Sequence, residues 1–128
     1  MALDGKIYGK PKTEGEAKEM LRALSGKDHQ VYSGVSLIWH RQNGDERITR
    51  TKKFHEVTSV KFAELDDAVI KGYVATGEPM DKAGAYGIQA VGGTLVEAIR
   101  GDFFNVMGFP LHRFCTELVK WFGENKLL

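Results

Sequence analysis

Apolar positions follow a helical spacing after Thr13. Ala17, Met20, Leu21 and Leu24 fall at i, i+3, i+4 and i+7 and predict one buried stripe. Thr13 with Glu16 three residues on forms a capping box at its start, and Gly26 supplies a left-handed stop just past its end. The period then changes to two. Val31, Ser33, Val35, Leu37 and Trp39 share one face of a strand. Gln42-Asn43-Gly44-Asp45 is turn chemistry, and a second strand over about 47–62 returns with Phe54, Thr58, Val60 and Phe62 on one face, interrupted by Glu56. The pair predicts a long antiparallel hairpin.

A second helix is predicted over about 66–76, with Val69, Ile70, Tyr73 and Val74 inward and Gly77 ending it. Residues 78–93 carry neither period. A second hairpin is predicted from 95–99, a Gly101-Asp102 turn and 103–106. Pro110, a favoured first helical position, opens the last helix. Its stripe is Leu111, Phe114, Cys115, Leu118, Val119 and Phe122, so Cys115 is expected to be a small buried hydrophobe. Helices interleaved with strands predict one α/β domain over residues 1–128, with a mixed sheet flanked by helices and hairpins.

Composition narrows the function classes. A chain of 128 residues with 42% hydrophobic positions can bury one core. Eighteen basic against seventeen acidic residues argue against a broad duplex nucleic-acid face, and the one basic cluster, Arg47, Arg50, Lys52 and Lys53, alternates over both faces of a strand. One cysteine excludes an intramolecular disulfide and a multi-thiolate zinc site. No apolar run reaches the length of a membrane span, and a soluble, cytoplasmic setting is expected. His29, His40, His55 and His112 show no paired ligand spacing and read as structural or solvated.

Candidate chemistry concentrates in the glycine-rich segment 77–89, which holds Glu78, Asp81, Lys82 and Gln89. Glycines there let backbone amides approach a ligand closely. Two readings stand side by side. In one the segment cradles an anionic or nucleotide ligand, with Lys82 as a point charge and Gln89 on a base edge or a phosphate. In the other it is a connection whose charges form surface ion pairs. Lys10, between Gly9 and Pro11, is likewise either a held phosphate contact or a solvated loop lysine. Asn105 is a ligand contact or a turn residue.

Lys10-Pro11, Leu21-Arg22-Ala23-Leu24-Ser25-Gly26 and His29-Gln30-Val31 resemble the Maf family of nucleoside triphosphate pyrophosphatases. Gly77-Glu78-Pro79 and the block from Asp81-Lys82-Ala83-Gly84 to Gln89 continue the likeness. Gly101-Asp102 and Asn105-Val106-Met107-Gly108-Phe109-Pro110-Leu111 follow in order. The likeness is nearest to the Maf domain that animals carry fused to an acetylserotonin-methyltransferase-like domain. It implies a Maf/ITPase-like α/β fold and hydrolysis of a nucleoside triphosphate to a monophosphate and pyrophosphate. It also implies a divalent metal, Mg²⁺ or Mn²⁺, a preference for dTTP and UTP, a role in cleansing nucleotide pools, and possible homodimerisation. Residue by residue, Lys10 and Lys82 take the family's phosphate lysines and Gln89 the glutamine of substrate choice. Glu78 and Asp81 take acidic positions that orient the lysine or the metal.

The family's Ser-x-Ser-Pro-Arg-Arg segment and the aspartate of Gly-Ala-Asp-Thr, its general base, have no counterpart in these residues. Asp4 lies instead in the Asp4-Gly5 turn. The resemblance therefore describes a domain truncated at its N-terminus. It assigns no catalytic residue, and it predicts slow or absent turnover by this chain and a sheet with an unpaired face or edge. The alternative is a non-catalytic module that binds nucleotide or dimerises.

Overall fold

The computed structural model describes residues 1–125, so the last three positions of the expected 1–128 domain lie outside the described residues. The first elements are β1 (Ala2–Leu3), β2 (Lys6–Ile7) and α1 (Glu14–Leu24), then β3 (Asp28–Asn43), β4 (Glu46–Phe62) and α2 (Asp67–Ala75). Three 3₁₀ turns follow, Glu78–Asp81, Ala83–Ala85 and Val91–Leu95. The chain closes with β5 (Val96–Arg100), α3 (Phe103–Met107) and α4 (Leu111–Asn125). The sheet order is β2-β1-β3-β4-β5. The alternation of helices and strands gives the expected α/β architecture. Every ladder among the described residues is antiparallel, so here the sheet is antiparallel rather than mixed as expected, because the strands are joined by hairpins and returns.

The predicted caps form. The Thr13 hydroxyl accepts the Glu16 N–H at 3.1 Å, while the Glu16 carboxylate accepts the Lys12 N–H at 3.0 Å. This satisfies two amides that a helix start otherwise leaves open. Asp66 caps α2 by accepting the Val69 N–H at 2.8 Å, and Gly77 ends that segment with φ +78°. The hairpin of β3 and β4 runs in continuous register from Asp28↔Lys61 to Asn43↔Glu46. Its two-residue loop has Gly44 at φ +64°, a sign that suits the right-handed twist of the strands it joins.

The core lies on one face of the sheet. Ala17, Met20, Leu21 and Leu24 of α1 pack with Ile70, Tyr73 and Val74 of α2 and with Val60 and Phe62 of β4. His29, also buried, meets Phe62 and Tyr86 edge to face. Side chains alternate across a strand, so Tyr32, Ile38, His40, Lys53 and His55 point to the other face, and all five are exposed. β1 pairs with β3 only at Ala2↔Gln30, so beyond Tyr32 β3 has β4 on one side and no strand on the other among the described residues. The expected open edge and bare face are therefore present.

Two further expectations are corrected. Residues 103–106 do not return as a strand. Asp102 accepts the Phe104 N–H at 2.9 Å and starts α3. Buried Asn105 then donates from Nδ2 to the Val31 carbonyl and to the Thr58 hydroxyl, both at 3.1 Å, tying the helix to the hairpin. The second correction concerns α4. Its apolar stripe is only partly covered: Phe114, Leu118 and Phe122 are half-buried, whereas Val119 is 70% exposed, Leu111 is exposed, and so is Cys115, which is not the buried hydrophobe expected. The buried face is polar and aromatic, Glu117 and Trp121. Glu117 takes Lys52 Nζ and Arg113 Nε, each at 2.9 Å, and the Arg113 guanidinium lies over the Phe54 ring. Charges set across β4 thus determine which side of α4 docks.

Candidate functional site

Lys10 sits on the exposed turn after β2, where Pro11 is buried and fixes the backbone leading into α1. It borders a cleft of about 600 Å³ that also takes in Lys6, Lys12 and Glu16. The adjoining segment 81–87 is held against this turn, because the Gly84 N–H donates to the Gly9 carbonyl at 2.9 Å. Gly84 has φ +76° and Ala85 φ +65°. The left-handed conformation costs an alanine roughly 1–2 kcal/mol, which the surrounding packing of this fully buried residue must offset.

Asp81 and Lys82 project from this strained segment. Lys82 Nζ donates to Asp81 Oδ1 at 2.7 Å. That hydrogen bond, with the charges of Lys82 and then Lys10 added, holds the Asp81 carboxyl below its ordinary range. Asp81 thus stands among both lysines and orients Lys82. The stem of Lys82 lies over Gly87, where a Cβ would come within 2.9 Å of Lys82 Cε. The pair lines a cleft of about 240 Å³ with Ser33, Tyr86, Asn105 and Met107. The Gly84–Gly9 bond therefore sets Lys10, which is exposed, beside Asp81 and Lys82, which is half-buried and paired with Asp81.

Glu78 has a different place from the one the sequence suggested. Its carboxylate accepts the Val91 N–H at 3.1 Å, the Gly92 N–H at 2.8 Å and the Tyr73 hydroxyl. The same Tyr73 oxygen accepts the Gly87 N–H at 3.1 Å. Burial and the bond to Glu78 push the Tyr73 phenol up from its ordinary value. A Cβ on Gly92 would meet the Gly87 carbonyl oxygen and the Tyr73 hydroxyl, so only glycine fits there. Residues 87–92 are thus clamped at both ends, and Gln89, exposed, is the polar side chain presented between them. Tyr73 was legible only as one residue of a buried helical stripe. Nothing in its spacing announces a hydroxyl that meets amides fourteen positions on.

The donor set does not by itself build a metal site. No three His, Cys, Asp or Glu side chains converge among the described residues. The Glu78 oxygens are occupied by amides and a phenol, and Asp81 engages Lys82. His29 is the buried member of the four histidines, and His40, His55 and His112 are exposed. Of the basic cluster, Arg47, Arg50 and Lys53 are exposed and Lys52 serves α4. No helix among the described residues is long and apolar enough to cross a membrane.

Two lysine loops held together beside a clamped glutamine loop agree with the family likeness of the sequence, and comparison with known proteins decides it. The profile described as "Maf-like protein" matches residues 1–121. The chain belongs to the Maf-like protein family. It is 50% identical over 121 residues, 94% of the chain, to a human "Probable bifunctional dTTP/UTP pyrophosphatase/methyltransferase protein", of which it covers 19%. It is 48% identical over 121 residues to a "dTTP/UTP pyrophosphatase" of Carboxydothermus hydrogenoformans, covering 94% of the chain and 62% of that protein. A third relative with that description, from Thermococcus kodakarensis, is 53% identical over 111 residues, 87% of the chain and 55% of its own length. The chain thus spans less than two thirds of the length of each of these Maf-like relatives.

Proposed function

We propose that this chain supplies the substrate-holding part of a dTTP/UTP-type nucleoside triphosphate pyrophosphatase. Water would add across the anhydride between the α and β phosphates, so that the α-phosphorus–oxygen bond to the β phosphate breaks and a monophosphate and pyrophosphate leave. Such chemistry needs a polyanion neutralised and held in one pose. The observation that carries the reading is the Gly84–Gly9 hydrogen bond, which joins the Lys10 and Lys82 loops into one cationic face. Gln89 would meet the base, and Asp81 would keep Lys82 aimed. The descriptions of the relatives support dTTP and UTP as the substrates.

Mg²⁺ or Mn²⁺, which the family likeness implies, would supply charge neutralisation of the triphosphate there beside Lys10 and Lys82. The reaction's setting would be the cytoplasmic nucleotide pool, with a homodimer as the family likeness implies. The test is pyrophosphate release by the purified, folded chain from dTTP, UTP, CTP, GTP and ATP with either metal. Slow release favouring dTTP and UTP, reduced a further tenfold or so by Lys10→Ala through loss of a charge-assisted contact, is the expected result, since no general base is assigned among these residues. Nucleotide binding without any release would favour the non-catalytic alternative. Equal release from all five would contradict the assignment of substrate.

A further inference from the structure

The sheet face opposite the core carries charges of one sign. Residues directly opposite each other in an antiparallel ladder share a face. Arg47 pairs with Gln42, Lys53 with Ser36, Lys61 with Asp28 and Arg100 with Ser59, so all four cations stand on this face, and all are exposed. Asp28 is the one carboxylate that the β3–β4 ladder places among them. Lys61 reaches Glu97 at 3.7 Å, whereas Arg47, Lys53 and Arg100 form no ion pair among the described residues. The basic cluster of the sequence is therefore divided: Lys52 docks α4 on one face, and Arg47 and Lys53 are left free on the other. Two flat rings lie between the cations. Tyr32, 54% exposed, is the diagonal neighbour of His55 across the ladder, a separation of about 7–8 Å that admits one planar ring. Gly34, directly opposite His55, keeps that space open, since a Cβ there would meet nothing within 4 Å.

We propose that this stripe binds single-stranded RNA, with phosphates on the cations and unpaired bases stacked on Tyr32 and His55. The inference does not rest on the nucleotide reading above. Charge complementarity selects a polyanion, and the rings select one with free planar faces, which an acidic peptide lacks and a duplex hides. The near-neutral charge of the chain opposes a broad duplex face, but not a stripe on a ribbon that is two strands wide beyond Tyr32. From the level of Arg100 to Arg47 the stripe runs about 40 Å at about 3.3 Å per residue, a length suited to a single-strand site of roughly 4–16 nucleotides. The exposed hydroxyls of Ser36 and Thr51 flank Lys53 on the same face, where they meet the 2′-hydroxyl that RNA has and DNA lacks.

The experiment is fluorescence anisotropy of the full chain with a labelled 12-mer oligouridylate, beside its deoxy counterpart, an RNA duplex and a glutamate 12-mer. The oligouridylate should bind most tightly. Its log affinity should fall against log salt with a slope of about −2, from three free cations at about −0.7 each. Lys53→Gln and Arg47→Gln, both at exposed positions, should each make that slope shallower by about 0.7. His55→Ala should weaken binding roughly tenfold through loss of a stacking face, with an unchanged circular dichroism spectrum. Lys10→Ala, outside the stripe, should bind the oligouridylate as the wild type does. No binding at low salt, or a slope that neither variant changes, would overturn the proposal. Binding abolished by Lys10→Ala would place the strand on the lysine cleft and equally overturn it. Equal or tighter capture of the deoxy strand, the duplex or the glutamate 12-mer would contradict the assignment of single-stranded RNA.

Discussion

His29 is buried between Phe62 and Tyr86, its Nε2 2.7 Å from the Tyr86 hydroxyl and its Nδ1 without a partner. Burial above all lowers its pKa from 6.5 to about 4. An unfolded chain takes up a proton near pH 6.5, whereas the folded ring resists until about 4, so between these values the unfolded state binds more protons. Stability from this group is full above pH 6.5 and declines as pH falls toward 4, by an amount on the order of 3 kcal/mol in all. Urea midpoints at pH 7 and pH 5 should separate accordingly. His29→Gln, which removes the titrating ring and keeps a polar side chain, should shrink that separation, and a separation equal to wild type would refute the assignment. Glu78 carries a second prediction at this scale. Glu78→Ala leaves the Val91 and Gly92 amides and the Tyr73 hydroxyl without their acceptor and should cost about 2 kcal/mol in denaturant unfolding. Amide exchange should rise chiefly across 87–92. Lys10, Asp81, Lys82 and Gln89 were legible as candidates because the family motif carries them. Glu78 was legible as a residue but not in its role, since its partners are backbone amides that no side-chain pattern encodes.

At the scale of elements, capping and periodicity located α1, α2 and the long hairpin, because each rests on local chemistry: Thr13 and Asp66 as caps, Gly44 in the turn, alternation along β3. The failures are those where a distant contact overrides the local pattern. Phe103 and Phe104 suit a strand, yet the Asp102 cap and the bonds of Asn105 to Val31 and Thr58 give a helix. α4 has an apolar stripe, yet it docks by Glu117 and Trp121, because Lys52 on β4 waits opposite Glu117 and Arg113 reaches toward Glu56 at 3.9 Å. Hydrogen bonds from Lys52 and then Arg113 keep the Glu117 carboxyl below its ordinary range. Its contribution is therefore present above the unfolded carboxylate value and is lost as pH falls through the lowered one. A thermal double-mutant cycle of Glu117→Gln and Lys52→Met should give singles that each lower Tm and a double that lowers it by less than their sum. Strict additivity would mean that the pair does not dock the helix.

Across the whole molecule, one face of a five-stranded antiparallel sheet carries the core, and the ends of the helices and turns converge on one edge that holds the candidate residues. The Lys10 turn, the 81–87 segment, the clamped 87–92 loop and the α3–α4 connection meet there although they are spread over about a hundred residues of sequence. That convergence was not legible from spacing, since it depends on the Gly84–Gly9 bond and on the Tyr73–Glu78 clamp, both of which link segments through backbone groups. The family motif named the residues, and the Gly84–Gly9 bond sets the Lys10 and Lys82 loops side by side. The bare sheet face and the unpaired length of β3 were anticipated from the sequence, and Tyr32 at that edge borders the cleft of Asp81 and Lys82. The most direct test of the account is calorimetric titration of the folded chain with UTP, dTTP, ATP and GTP, beside Lys10→Ala and Lys82→Ala. The account predicts tighter binding of UTP and dTTP than of the purines, with each lysine variant weakening it roughly tenfold or more. No binding at millimolar UTP, or lysine variants that bind as the wild type does, would contradict it.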